Sequence, residues 1–360
     1  MAAGLRNPGV RAALASALLF GAGTPLAKLL LGSVNPWVMA GLLYCGSGLG
    51  LSLYRLVRRA PRVRIARADL APLAGAVLTG GVLGPLLLMV GLSAMPASGA
   101  SLLLNAEAVF TAGLAWVVFR EHVDGRLLLG MVAIVAGAVV LSVPSDAALG
   151  SPWPALAILG ACLAWGIDNN LTRKVALNDA VWLAAVKGSV AGPVNLALGL
   201  AAGASLPAVG SVAASMLLGC VAYGVSLALF IVGMRQVGTA RAGAYYSIAP
   251  FFGTLLALAL GEPLTWSVGI AATLMAIGVW LHLSERHDHA HRHEAVTHDH
   301  WHVHDEHHQH AHAEGGPPTS SPGQGHPHEH THEGILHAHQ HYPDSHHRHG
   351  HPSGDEGPGT

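Results

Sequence analysis

Residues 97–119 read Ala97-Ser-Gly-Ala-Ser-Leu-Leu-Leu-Asn-Ala-Glu-Ala-Val-Phe-Thr-Ala-Gly-Leu-Ala-Trp-Val-Val-Phe119, with a single ionisable side chain, Glu107, near the middle. A helix needs roughly 20 mostly apolar residues to cross about 30 Å of hydrocarbon. This stretch meets that requirement, and so do nine others. The expected spans run approximately over 10–31, 36–57, 70–94, 97–119, 125–143, 153–174, 179–202, 210–234, 240–260 and 264–283. The first is too long for a signal peptide and carries Thr24-Pro25 and Lys28 where a short apolar core should end.

Composition agrees. The chain of 360 residues is 51% hydrophobic and 11% charged, against roughly 25% charged in an average soluble domain. Most of the polar content follows residue 283, so the preceding stretch has too little to cover a soluble core. A net charge of −1 argues against nucleic-acid binding. Cys45, Cys162 and Cys220 lie inside apolar stretches and suggest core residues rather than disulfides or a zinc site. No nucleophile–base motif or phosphate loop points to an enzyme.

Arginine and lysine predict the orientation, because positive charge is retained on the cytoplasmic side. Arg6 and Arg11 precede the first span. Arg55, Arg58, Arg59, Arg62, Arg64 and Arg67 follow the second, Arg120 and Arg126 the fourth, Arg173 and Lys174 the sixth, and Arg235 and Arg241 the eighth. The intervening connections 142–152 and 201–211 have no Lys or Arg. Ten spans with both termini cytoplasmic satisfy this pattern. Arginine-over-lysine, alanine-rich usage suggests a bacterial inner membrane.

The chain also repeats itself. A shift of 145 aligns Leu14 with Leu159, Gly21 with Gly166 and Trp37 with Trp182; a shift of 141 aligns Phe110 with Phe251, Glu121 with Glu262 and Gly137 with Gly278. Five helices is an odd number, so the second half enters the membrane inverted. Such repeats with a central site are a recurrent transporter architecture. The expected fold is an all-α membrane protein: two inverted five-helix repeats, 1–145 and 146–283, and a disordered His-rich cytoplasmic tail, 284–360.

The run 102–113 followed by Arg120-Glu-His, with its second copy from Ser247-Ile-Ala-Pro-Phe-Phe-Gly to Gly261-Glu-Pro-Leu-Thr, resembles EamA-type members of the drug/metabolite transporter superfamily. The resemblance covers about residues 10–283. It implies ten helices, two EamA-like repeats and movement of small metabolites. Ala108 stands where the family carries Pro after the helix-4 acid, and Ala249 before Pro250 leaves the second half without an acid.

Ionisable groups inside a bilayer are expensive and so are functional candidates. Glu107 has Thr111 one turn on. Trp165, Asp168, Asn169, Asn170 and Thr172 form a polar stripe, and Lys187 shares a face with Ala191 and Asn195. Two roles stay open for Asp168 and Lys187: substrate contact or a structural ion pair. Glu107 would then be the unpaired group, able to take up and release a proton or select a cation. Tyr245 and Tyr246 are expected to face the same chamber. Lys28 is expected to snorkel to the interface, and Glu121 and Glu262 to serve as turn residues. Gly46-x-x-x-Gly50 and Gly80-x-x-x-Gly84 suit close helix packing, and Pro25, Pro85, Pro193 and Pro250 suit broken helices lining a cavity.

Histidines concentrate in the tail. His287, His289, His291, His293, His298, His300, His302 and His304 alternate with other residues, as do His326, His328, His330 and His332. So little apolar content predicts disorder without metal, while clustered imidazoles predict binding of Zn, Ni, Co or Cu. The spans hold no histidine but His282, and no cofactor is required. Three functions compete: a metabolite carrier with a metal-responsive tail, a transition-metal carrier fed by that tail, and a membrane-anchored metal sensor. The expected partners are lipid and a small-molecule or ion substrate; a homodimer is compatible with the sequence.

Overall fold

The computed structural model describes residues 7–61, 63, 65–119, 125–142, 151–175, 179–237, 245–283, 288–292, 296–302, 326–332 and 336–340. The chain forms two compact units, Met1–Glu285 and Arg286–Thr360.

The first unit is helical. We number its helices by expected span: α1 Pro8–Leu30, α2 Pro36–Val57, α3 Leu70–Ser93, α4 Ala97–Phe119, α5 Gly125–Ser142, α6 Trp153–Val175, α7 Ala180–Ala201, α8 Val209–Val237, α9 Ala249–Ala259 and α10 Trp266–Leu283. Six are long and apolar enough to cross a membrane, α1–α4, α7 and α8; the described parts of α5, α9 and α10 are shorter apolar helices. The 23 residues of α6 also have spanning length, but Asp168, Arg173 and Lys174 lower their hydropathy. Side chains start several of these helices. Asn7 accepts from the Gly9 amide (2.8 Å), Asn35 from that of Trp37 (2.9 Å), and Asp179 from that of Val181 (2.9 Å). Each satisfies an amide that the first helical turn leaves unpaired.

Packing reveals how the repeats combine. α2 packs on its own repeat counterpart α7, and α5 on its counterpart α10. The helix α1 packs on α8 and α9, whereas α6 packs on α3 and α4. These two sets are equivalent under the repeat, so each half lends one helix to the other. The halves are therefore intertwined rather than two self-contained bundles. Glycine makes the crossings close: a Cβ at Gly46 would overlap the Met216 backbone, and one at Gly219 the Leu43 carbonyl.

Among the described residues, α3, α8 and α4 are interrupted. α3 contains a π-helical segment, Val77–Leu83, and α8 contains another, Gly219–Val225, at the equivalent place. Both close with an i→i−5 bond, Gly84 N–H to Thr79 O and Ser226 N–H to Val221 O. Pro85 follows the first; Leu227 occupies the matching position after the second. The bulge is thus a property of the repeat and does not require proline. π-bulges frequently mark functional sites. α4 is broken between Leu103 and Ala106, where the Asn105 side chain donates to the Leu102 carbonyl (2.9 Å).

Two residues differ from their expected roles. Lys28, expected at the interface, has definite partners. Its Nζ donates to the carbonyls of Leu92 (2.7 Å) and Ser93 (3.1 Å), satisfying the carbonyl end of α3. Glu262 is no simple turn residue: its carboxylate accepts from the amides of Ala97 (2.7 Å) and Ser98 (2.8 Å), capping α4 from the other repeat. Both choices give partners to helix-end groups that the helix itself leaves unpaired. Glu121 lies outside the described residues.

In the second unit, four short strands pair antiparallel in two ribbons: β1 Asp288–Arg292 with β4 Leu336–Gln340, and β2 Val296–His302 with β3 His326–His332. Histidine meets histidine across both: His289 opposite His339, His291 opposite His337, His298 opposite His330, His300 opposite His328 and His302 opposite His326. His332 stands opposite Val296. His287, His293 and His304 lie outside the described residues.

Candidate functional site

The polar residues picked out in the spans converge where α4 breaks beside α6. Asn169 Nδ2 donates to Glu107 Oε1 (2.9 Å) and to Thr111 Oγ1 (3.2 Å). Asn170 turns the other way, donating to the carbonyls of Thr111 (3.1 Å) and Gly166 (2.8 Å), and thereby ties α6 to α4. Asn169 is exposed and Glu107 half-buried, whereas Asn170 is buried. One face of α6 therefore opens and the next one seals.

Asp168 lies one further step round the helix. Its Oδ1 accepts from Lys187 Nζ at 2.5 Å and from Thr172 Oγ1 at 2.8 Å, while Lys187 also donates to Thr172 (2.9 Å). The structural ion pair is thus present, nearly closed from solvent, and internally satisfied. It neutralises two of the three charges in this part of the molecule. No cation pairs with Glu107 among the described residues.

Trp165 and Asn195 serve the π segment of α3. Pro85 has no N–H to give to the carbonyls four and five residues earlier. Gly81 O accepts from Asn195 Nδ2 (3.1 Å), and Gly80 O from Trp165 Nε1 (3.0 Å) and Tyr44 OH (2.8 Å). Gly80 is needed here, because a Cβ would overlap the Asp168 carboxylate; one at Gly84 would press on the Trp165 indole (2.6 Å). Asn195 is fully buried and its Oδ1 has no hydrogen-bond partner among the described residues. It anchors α7 to α3.

The helices also carry an aromatic array that the sequence reading only touched. Ring centroids lie 5.9 Å apart for Tyr44 and Tyr223, 5.7 Å for Tyr223 and Phe20, 5.4 Å for Phe20 and Tyr246, and 4.7 Å for Tyr246 and Phe230. Tyr44 and Tyr246 lie within electrostatic reach of Glu107. Tyr245 is half-buried, and its neighbour Tyr246 supplies the stacked ring. The repeat held a signal for part of this: Phe20 aligns with Trp165 at the 145-residue shift. Tyr44 and Tyr223 had none, since an isolated tyrosine in an apolar helix looks like core.

The ends of the bundle differ. At the Lys28–Glu262 end, Ala97–Leu103 of α4 is buried throughout, and Thr254 Oγ1 adds a bond to Ser98 O (3.1 Å). Towards the other end, residues 109–114 of the same helix are all half-buried. There Arg55 of α2 pairs with Asp179 at the start of α7. No group of three or more His, Cys, Asp or Glu able to hold a metal occurs among the described residues.

The profile of the EamA-like transporter family matches residues 7–143 and 152–284, one copy in each repeat. An uncharacterized transporter of Methanothermobacter thermautotrophicus is 28% identical over 292 residues, which cover 74% of this chain and 84% of that relative. A solved crystal structure is similar in fold with a TM-score of 0.58 and 18% identity, over 77% of this chain and 96% of that one.

Proposed function

The chain belongs to the EamA-like transporter family, a multi-pass membrane transporter of small solutes and not an enzyme, and on that premise we propose that it works by alternating access around Glu107. The single observation carrying this reading is the carboxylate itself. It is half-buried at a helix break and, among the described residues, is held by the neutral Asn169, beside an ion pair that needs nothing from it. A carboxylate so placed is costly in a bilayer unless it exchanges a proton or a solute. Proton coupling through Glu107 follows.

Intertwined repeats support the mechanism. The α1–α8–α9 set and the α3–α4–α6 set can exchange conformations, with α2–α7 and α5–α10 lying on the pseudo-symmetry axis. Applying the positive-inside rule, the arginine-bearing end faces the cytoplasm, both termini lie there, and Asn169 opens towards it. The Lys28–Glu262 end is then the closed outer one.

The test is side-specific labelling. In a background without native cysteines, Asn169→Cys should react with an impermeant thiol reagent from the cytoplasmic side and, in a minority state, from the outside. An imposed pH gradient should shift that ratio, and Glu107→Gln should abolish the shift, along with pH-driven uptake, while the protein still folds and inserts. Labelling from one side under every condition removes the carrier reading.

The tail is proposed to bind transition metal and to regulate transport. Support comes from composition and register: histidines recur at alternate positions and stand opposite one another on each ribbon, and imidazole is the commonest ligand for such metals. Equilibrium dialysis of the full chain against Zn or Ni, with and without residues 284–360, checks this; equal uptake by both forms contradicts it. Transport of the metal itself is the second reading. The tail favours it, and a metal flux that disappears with the tail would establish it.

A further inference from the structure

The histidines of the second unit are matched across two arms, β1–β2 and β3–β4, with residues 303–325 between them. His289 faces His339 on one ribbon and His302 faces His326 on the other. The advance from 289 to 302 equals the return from 339 to 326, so the two ribbons keep a single register. The sequence maintains that match across a break. Alternation lapses once in each arm, from His293 to His298 and from His332 to His337, by the same odd step of five residues. A strand changes face at every residue, so an odd step in one arm alone would set histidine against other residues in one ribbon. The second odd step keeps histidine opposite histidine in both.

From this mirrored register we infer that the tail holds metal between its arms and not along either one. The outer site takes His289, His291, His337 and His339; the inner site is drawn from the three facing pairs of β2 and β3. That assignment rests on reading the tail as a metal binder. Residues two apart on one strand are roughly 6–7 Å apart, whereas directly opposite residues have Cβ atoms about 4.5–5.5 Å apart. With metal–nitrogen bonds of about 2.0–2.1 Å, an ion gathers the closer set at less cost. Imidazole suits borderline divalent ions such as Zn and Ni, and the tail has no Cys or Met to select a soft ion such as Cu(I). An ion shared in this way offsets the closure entropy of the 303–325 connection and stabilises the paired arms by mass action.

Non-additivity separates shared sites from binding by histidine number. In the full-length protein, His289→Ser, His291→Ser, His298→Ser, His300→Ser and His302→Ser are combined in one variant. The facing residues His326, His328, His330, His337 and His339 are changed to Ser in a second. Zn affinity is measured by equilibrium dialysis against a chelating competitor. Each one-arm variant should bind its tightest Zn at least about tenfold more weakly, and joining the two should add little, because losing either arm already breaks every shared site. A second readout follows the arms themselves. With donor and acceptor dyes on Ser284→Cys and Ser345→Cys in a background without native cysteines, Zn should raise energy transfer, and either one-arm variant should lose that response.

Additive losses, with each arm keeping its own tight ions, overturn the inference and leave a tail that binds metal within single arms. Tight Zn binding without a rise in energy transfer overturns it as well. If the full chain binds no more Zn than the chain lacking residues 284–360, the metal-binding reading itself falls, and the shared sites fall with it.

Discussion

The sets α3–α4–α6 and α1–α8–α9 are equivalent under the repeat and opposite in chemistry. In the first, Asp168 of α6 lies against Gly80 of α3; at the same place in the second, Gly23 of α1 lies against Ala222 of α8. Where α6 carries Trp165, donating to the Gly80 carbonyl, α1 carries Phe20, stacked on Tyr223 and Tyr246. Glu107 has Ala249, before Pro250, as its counterpart in the second half. One backbone plan therefore presents a charged, hydrogen-bonding wall on one side and an uncharged, ring-lined wall on the other. Duplication supplied the common backbone; divergence gave its two copies different side-chain chemistry.

The comparison is broken most forcefully at the ion pair. Lys187→Met should destabilise the protein by about 3–5 kcal/mol, because Asp168 is left charged and nearly buried. The double variant Asp168→Asn with Lys187→Met should recover most of that in detergent unfolding followed by tryptophan fluorescence. A loss below about 1 kcal/mol for the single variant would mean that the pair is effectively solvated.

Next comes the glycine contrast. Gly80→Ala forces a methyl into the Asp168 carboxylate and should cost about 2–3 kcal/mol. Gly23→Ala, its mirror, meets the Ala222 Cβ at 3.1 Å and the Tyr223 ring at 3.9 Å and should cost less than about 1 kcal/mol. Equal losses in the same unfolding measurement would show that the two sets are packed alike.

Smaller effects sharpen the picture. Trp165→Phe removes one of two donors to Gly80 O and should cost about 1 kcal/mol as a lost hydrogen bond, with Tyr44 still in place; Phe20→Tyr on the other wall should change stability by less than about 0.5 kcal/mol. Glu262→Gln weakens the cap on α4 by about 0.5–1 kcal/mol. Its clearer readout is faster labelling of Asn169→Cys from the Lys28–Glu262 end, because that cap ties the repeats together there.

Much of this was legible in the residues. Helix extents agree with the hydropathy pattern to within a few residues at most described ends, since spanning length is set by lipid thickness. Glu107, Thr111 and Asn169 were chosen as intramembrane polar groups, and they do come together. The Asp168–Lys187 pair was one of two open readings. Asn195 was chosen on the same ground and proves to be an anchor for α3, because an amide in lipid satisfies a stranded carbonyl as readily as a ligand. Lys28 and Glu262 looked like interface residues; their partners are backbone groups 64 and 164 or 165 positions away in the chain, which no local pattern reveals.

Taken alone, the sequence determined that the chain crosses a membrane many times, that its halves are inverted copies, and that a few charges sit where lipid penalises them. Those are consequences of composition and period, which act residue by residue. Which helix meets which was decided only in three dimensions. The exchange of α1 and α6 between halves, the two π segments and the aromatic wall arise from packing small residues against large ones across the repeat. That complementarity depends on distances between helices, and a linear order of residues does not contain them.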